Sequence, residues 1–381
     1  MVRQAIFTKG GGLFLTAYLK LKTNNSELLE ESSCLYEQEC KSPEENLANF
    51  QKNNEKSSVK KAPFQSHLFM IIRKCFLQSI VWIKYFFHII TIKQIYQADI
   101  FIFPFQKKEN KDFFEKRIYQ YHMKKCIKKL KKLIQKYKIN MIVLSDELKK
   151  DEFFMKEFAG KEEGKKEFTL LNGKGVFPYL IFETIEYVLK KQQKRSELTD
   201  IYLLMHDKKQ IYMDNILFLI HKFKTINVVT DHLKDFQILA EKIEEKEGIP
   251  ITVSNNTRKS LKNAKIIINF DYSEEELKRF SIYRRAILIQ IGASLSYENQ
   301  TFGGIQVYHM DIDTSKQIKD FFEKYHLLGN SPLVSLYEGI LNQKENFLEV
   351  RKKIENDQVK ILRLYGKNGI IDEREYQSLV L

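Results

Sequence analysis

The sequence predicts an α/β protein of two domains. The second is a Rossmann-like, doubly wound parallel sheet with strand order 3-2-1-4-5-6, followed by C-terminal helices. Three observations predict it. Short apolar runs alternate with amphipathic stretches from residue 98 to residue 310, the pattern of strands covered on both faces by helices. The 381 residues are enough for two cores. A polar stretch at 190–197 separates two such alternating regions. Right-handed crossovers then leave few other orders for the six strands of the second region.

Hydrophobic residues make up 43% of the chain and aromatics 13%, which excludes wholesale disorder, because ample apolar surface is available for burial. The formal net charge of +14 suits an anionic partner. Lys, Ile, Asn, Phe and Tyr are abundant together, however, as AT-rich coding favours, so most surface lysines are read as composition. No nucleic-acid-binding motif is present. Cys34, Cys40, Cys75 and Cys126 form no C-x-x-C pair and have no His cluster nearby, so neither a zinc site nor a disulfide framework is expected. Residues 2–22 lack the apolar core and small-residue cleavage site of a secretion signal. The expected setting is the cytoplasm, with peripheral membrane contact left open, and a homo-oligomer is compatible with the composition.

Residues 1–66 read as an N-terminal segment whose part 23–66, rich in Glu, Ser, Lys and Asn, is a flexible linker. Gly10, Gly11 and Gly12 lack the Gly-Lys-Ser/Thr of a phosphate loop and read as a mobile turn. Residues 67–195 read as a smaller α/β domain led by an apolar amphipathic helix at 67–90. Arg73, Lys74 and Lys84 keep that helix short of the roughly 18 apolar residues a membrane span needs. Its arc of Phe76, Ile80, Ile83 and Phe87 fits either burial against the domain or a lipid interface; burial is the expectation. Strands are expected at 99–103, 141–144 and 168–171, and helices at 112–137, 152–158 and 176–191. Met123, Ile127, Leu130 and Ile134 give the 112–137 helix its stripe, and its many lysines read as a solvated face.

The second domain, 196–313, has apolar runs at 201–205, 226–229, 251–253, 266–270, 286–291 and 305–310, each expected as a strand. Helices are expected at 213–224, 235–246, 257–263 and 274–280, with Gly248 as a left-handed cap. Residues 314–381 read as a helical extension, with helices at 316–325, 333–342 and 346–354.

Ligands of open parallel sheets bind beyond the carboxyl ends of the strands. Those ends deliver His206 and Asp207, then Thr230, Asp231 and His232, then Asn255 and Asn256, then Asn269 and Asp271, then Gly292. The first turn is the informative one. A dinucleotide domain carries Gly-x-Gly-x-x-Gly there, because absent β-carbons let the backbone approach a pyrophosphate. This chain has His206, Asp207, Lys208, Lys209 and Gln210. Asp231 follows the second strand, where an acid would bind the ribose; capping the next helix or forming an Asx turn is its alternative role. The cleft candidates are therefore Asp207, Asp231, Asn255, Asn269 and Asp271, with His206 and His232 placed to converge beside them. No metal ligand set is expected, since the loop from Gly366 to Asp372 lacks the alternating acids of a calcium site.

From Thr230 to Asp271 the chain carries Thr-Asp-His, then Ile-Leu-Ala-Glu-Lys, then Lys-Asn-Ala-Lys-Ile-Ile-Ile-Asn-Phe-Asp. This segment resembles the later part of the cofactor domain of shikimate dehydrogenases and glutamyl-tRNA reductases, where a Leu-Ala-containing helix precedes an Ala-Asp-x-x-Ile-Asn-Ala-Thr strand. The resemblance implies a Rossmann-type NAD(P) fold, with Asn269 on the nicotinamide side. It departs in lacking the glycine turn and any Arg after the second strand to hold a 2′-phosphate. The lysine–aspartate catalytic pair of that family has no counterpart located in the first domain. Two functions follow as expectations. The first is a non-catalytic or regulatory Rossmann-like protein that binds a small ligand or a protein partner, with no cofactor expected. The second is an NAD(P)-dependent oxidoreductase with an altered phosphate turn. No catalytic residue is assigned.

Overall fold

The computed structural model describes residues 15–21, 91–95, 98–103, 113–159, 168–292, 302–324, 327–328, 332–341 and 346–379. The chain divides into two units, 1–169 and 170–381. The expectations for Gly10 to Gly12, for the linker 23–66 and for the helix 67–90 fall outside the described residues. Among the described residues, no helix is long and apolar enough to cross a membrane.

In the first unit, β1 (Leu15–Leu21), β2 (Thr91–Ile95), β3 (Ala98–Phe103) and β4 (Ile139–Leu144) lie in the order β2-β3-β1-β4. The short β5 (Thr169–Leu171) follows β4, where the chain passes into the second unit. β1 pairs parallel with β3 and β4, whereas β2 is antiparallel to β3. The sequence predicts no strand at β1. Leu15, Ala17, Leu19 and Leu21 alternate with Thr16, Tyr18 and Lys20 at strand period, a signal overshadowed by the glycines before it. α1 (Phe113–Tyr137) buries Met123, Cys126, Ile127, Leu130 and Ile134 and leaves Lys124, Lys125, Lys128 and Lys132 exposed. Each buried aliphatic side chain contributes roughly 1.5–3 kcal/mol. α2 (Asp146–Lys150) and α3 (Glu152–Ala159) meet at Asp151, which accepts from the Phe154 N–H at 2.9 Å and from the Tyr119 hydroxyl of α1 at 2.5 Å.

The second unit holds a six-stranded sheet of β6 (Asp200–Leu204), β7 (Thr225–Val229), β8 (Thr252–Ser254), β9 (Ile266–Asn269), β10 (Ile287–Gln290) and β11 (Ile305–Val307). These lie side by side as β8-β7-β6-β9-β10-β11, every pair parallel. All residues of β9 and β10 are buried, as befits central strands with layers on both faces. α4 (Ile181–Lys191), α5 (Gln210–Leu219), α6 (Leu233–Glu247) and the single-turn α7 (Glu274–Leu277) are the main helices between the strands. Gly248 ends α6 at φ 70°, its N–H donating to the Glu244 carbonyl at 2.8 Å.

Four expectations need correction. Residues 176–191 are not one helix. A 3₁₀ turn, Lys174–Tyr179, precedes α4, because Pro178 lacks an N–H and restricts Phe177. Residues 257–263 form successive turns, started by the Asn256 side chain accepting from the N–H groups of Arg258 (3.1 Å) and Lys259 (3.0 Å). Residues 305–310 are not one strand. Tyr308 N–H donates to the Tyr365 carbonyl at 2.9 Å, and the chain leaves the parallel sheet to become β12 (His309–Asp313) of another. There β12 pairs antiparallel with β13 (Lys360–Gly366), which pairs with β14 (Gly369–Ile370). The region 314–381 is therefore not wholly helical: beside α8 (Lys316–Lys324), α9 (Leu333–Ile340), α10 (Phe347–Asn356) and α11 (Glu373–Ser378) it supplies two strands. Lys360 and Arg363 interrupt the apolar residues of β13, which hides its period.

The polar stretch 190–197 lies inside the second unit, since α4 is tied to elements far along the chain. The buried Arg351 of α10 donates from Nη1 to the Tyr179 carbonyl at 2.5 Å and to Glu183 at 2.8 Å, and from Nη2 to Glu183 at 2.6 Å. Its guanidinium lies 4.6 Å from the centre of the Phe218 ring. Lys191 pairs with Glu373 at 2.5 Å, and Gln192 donates to the Tyr376 carbonyl at 2.7 Å.

Two consequences can be measured. Arg351→Met leaves Glu183 and the Tyr179 carbonyl without their donor, and a loss on the order of 3 kcal/mol is expected in urea unfolding at unchanged m-value. A loss below about 1 kcal/mol would mean that water already satisfies these groups. In the first unit, burial pushes the Cys126 thiol up to about 12. At pH 8 iodoacetamide should spare Cys126 in the folded protein and modify it in urea, as read by peptide mass mapping. Prompt alkylation of the folded chain would show instead that α1 opens readily.

Candidate functional site

The carboxyl edge of the six-stranded sheet brings together loops that are distant in sequence. β6 ends at Leu204, and the next turn leads into α5, whose cap residue Lys209 makes no side-chain capping bond. Two N–H groups of this turn share one acceptor. His206 N–H donates to Oδ1 of Asp271 at 2.7 Å, and Asp207 N–H donates to Oδ2 at 2.9 Å. Asp271 reaches them because β9 lies beside β6 in the sheet, and Phe270 N–H extends the ladder to the Leu204 carbonyl at 3.0 Å. A dinucleotide domain directs the N–H groups of this turn at a pyrophosphate. Here a carboxylate of the chain itself sits on them.

The side chains of the turn are engaged with neighbouring charges. Lys208 lies 3.3 Å from Asp235 and Lys209 lies 3.3 Å from Asp207. Lys209 also approaches the Tyr212 hydroxyl at 3.4 Å; that bond, aided by Asp207, holds its ammonium above the usual lysine range. His206 and His232 do converge, with ring centres 4.8 Å apart. His206 Nδ1 is 3.9 Å from an Asp231 oxygen and makes no hydrogen bond. Asp231 is about half exposed and does not cap α6; His232 holds that position.

Tyr272 joins the two sides of the edge. Its hydroxyl accepts from Asp231 N–H at 3.0 Å, and its ring meets His206 edge-on at 5.8 Å. Burial, with Asp231 beside it, raises the phenol above its ordinary range. Asn269 lies beneath. Its amide donates to the Tyr272 carbonyl at 2.8 Å and to Gln290 at 2.7 Å, and its oxygen accepts from Tyr272 N–H at 3.0 Å. Asn269 is only 3% exposed, so these bonds wholly occupy it. Glu276 caps α7 through Ser273, whose hydroxyl and N–H hold the carboxyl below the usual range. Asn255 is exposed beyond β8, and Asn256 is spent on its own turn.

Of the residues singled out from sequence, Asp207, Asp231 and Asp271 gather around His206, while Asn269 supports the floor. Tyr272 and Gln290 were missed. The signal for Gln290 was legible, a polar residue closing the apolar run Ile287–Gln290. Tyr272 gave none, since an aromatic after a strand is ordinary core material. Among the described residues, no group of three or more His, Cys, Asp or Glu is placed to hold a metal ion. The edge can offer hydrogen bonds from two imidazoles beside the Asp231 carboxylate.

No protein-family model matches the chain, and no curated protein matches it in sequence. Solved structures match distantly. The Thermococcus litoralis Δ1-pyrroline-2-carboxylate reductase, in complex with NADH and L-proline, is 15% identical over 31% of this chain and 37% of its own, at a TM-score of 0.22. L-tryptophan dehydrogenase from Nostoc punctiforme is 11% identical over 68% of each chain, at a TM-score of 0.29. Aspartate transcarbamoylase from Trypanosoma cruzi, in complex with carbamoyl aspartate and phosphate, is 10% identical over 76% of each chain, at a TM-score of 0.25. This chain spans little more than a third of the length of the reductase. At such scores these likenesses carry no argument about activity.

Proposed function

We propose that the second unit is a Rossmann-like binding domain that works without a dinucleotide, and that the chain is a non-catalytic or regulatory protein responding to a small ligand. One observation carries this reading: the Asp271 carboxylate accepts from both His206 and Asp207 N–H, where a pyrophosphate would otherwise be held. A nucleotide would have to displace that carboxylate and then face it. Asp231 stands beside the same turn, 3.9 Å from His206, and its like charge adds to the cost.

Calorimetric titration with NAD and with NADP tests the reading directly. Neither is expected to bind more tightly than about 1 mM. Micromolar affinity for either would overturn it in favour of an NAD(P)-dependent oxidoreductase. A second measurement concerns Asn269, read as part of the floor rather than as a nicotinamide contact. Asn269→Ala strands the Tyr272 backbone and the Gln290 side chain, and should lower stability by about 1–3 kcal/mol. Unchanged stability would return Asn269 to the candidate ligand contacts.

A further inference from the structure

A hollow of the second unit lies along α5. It is a groove of about 830 Å³ running along the outer side of α5, between the end of α6 and the start of α10. Aromatic rings form its floor: Tyr179 stacks on Phe347 at 5.5 Å, and Phe218 meets Phe347 at 5.9 Å. Leu217 and Leu348 line it while 37% and 63% exposed. Exposed large aliphatics over a concave aromatic floor are typical of a small-molecule site.

The charges on the rim are unequal in their partners. Glu247 already has His221 at 3.4 Å and Lys246 at 3.4 Å, whereas Asp214 accepts from the neutral Gln210 amide at 2.8 Å and keeps its negative charge. Lys222 is different. Its ammonium lies over the Phe182 and Phe218 rings, 5.7 Å and 5.8 Å from their centres. Among the described residues, no carboxylate lies within the 4.0 Å of an ion pair. The groove thus pairs an apolar, ring-lined bed with one cation that no acid neutralises.

We propose that this groove binds a small ring-bearing carboxylate, its ring against Phe218, Phe347, Leu217 and Leu348 and its anion at Lys222. A charge-assisted bond to the ammonium fixes orientation, and the aromatic floor supplies the buried area. The proposal goes beyond the function argued above and does not rest on it: a nucleotide at the β6–α5 turn would neither create nor abolish the groove.

Titration calorimetry on the full chain with 3-phenylpropionate, and with its uncharged amide 3-phenylpropanamide, tests it. The acid is expected to bind roughly tenfold more tightly than the amide. Lys222→Gln should erase that preference while leaving amide affinity within about twofold, and Leu348→Asp should weaken both ligands by about fivefold or more. Both side chains are solvent-exposed, and thermal melts confirm that the variants fold. Equal affinity for acid and amide overturns the proposal. So does a preference that survives Lys222→Gln, or the absence of heat with either compound up to about 10 mM.

Discussion

Two backbone N–H groups at the end of β6 must find an acceptor, and the organisation of the carboxyl edge follows from which acceptor they take. The Asp271 carboxylate takes both. A charged acceptor makes each bond about twice as strong as a neutral one, and the pairing joins the ends of two adjacent strands. The same device recurs at the start of the 3₁₀ turn. There the buried Glu338 accepts from Gly173 N–H at 2.6 Å and from Gly175 N–H at 2.8 Å. Gly173 stands at φ 90°, and a β-carbon on it would come within 2.7 Å of Val334. In both places a turn that could cradle an external anion is closed by a carboxylate of the chain.

The consequence for the edge is rigidity on one side and openness on the other. Asn269, Tyr272 and Gln290 satisfy one another below the surface, leaving the Gln290 Nε2 atom without a partner. Such a network is costly to break, since each orphaned buried group loses about 1–3 kcal/mol. His206, His232 and Asp231 lie above it with fewer commitments. An evolved ligand contact is easier to alter among these three than in the layer beneath, where any change disturbs the packing of β9 against β10.

Much of the second sheet was legible, because central parallel strands must be apolar along their whole length. Ile266–Asn269 and Ile287–Gln290 announce themselves in that way. β13 was not legible, since most of its residues are at least partly exposed and Lys360 and Arg363 break its pattern. The site was legible as a set of positions but not as a set of roles. Strand ends placed Asp207, Asp231, Asn269 and Asp271 at one edge, as the topology requires. Nothing in the spacing could say that Asp271 would turn back onto the β6 turn, because that contact depends on two loops separated by more than sixty residues. The missing glycines were the one sign that the turn had another occupant.

The charge of the protein illustrates how little a global quantity fixes a local one. The chain carries a formal +14, which alone would favour an anion at any cleft. Around the carboxyl edge, Asp207, Asp231, Asp235, Asp271 and Glu276 face Lys208 and Lys209, and both lysines are already paired with acids. The excess of positive charge resides elsewhere, in part on exposed helix faces such as that of α1, where salt screens it within about a Debye length. At Lys222 the opposite holds. Its exposed ammonium lies over two aromatic faces with no ion pair among the described residues, so it is open to an anion as the paired Lys208 and Lys209 are not.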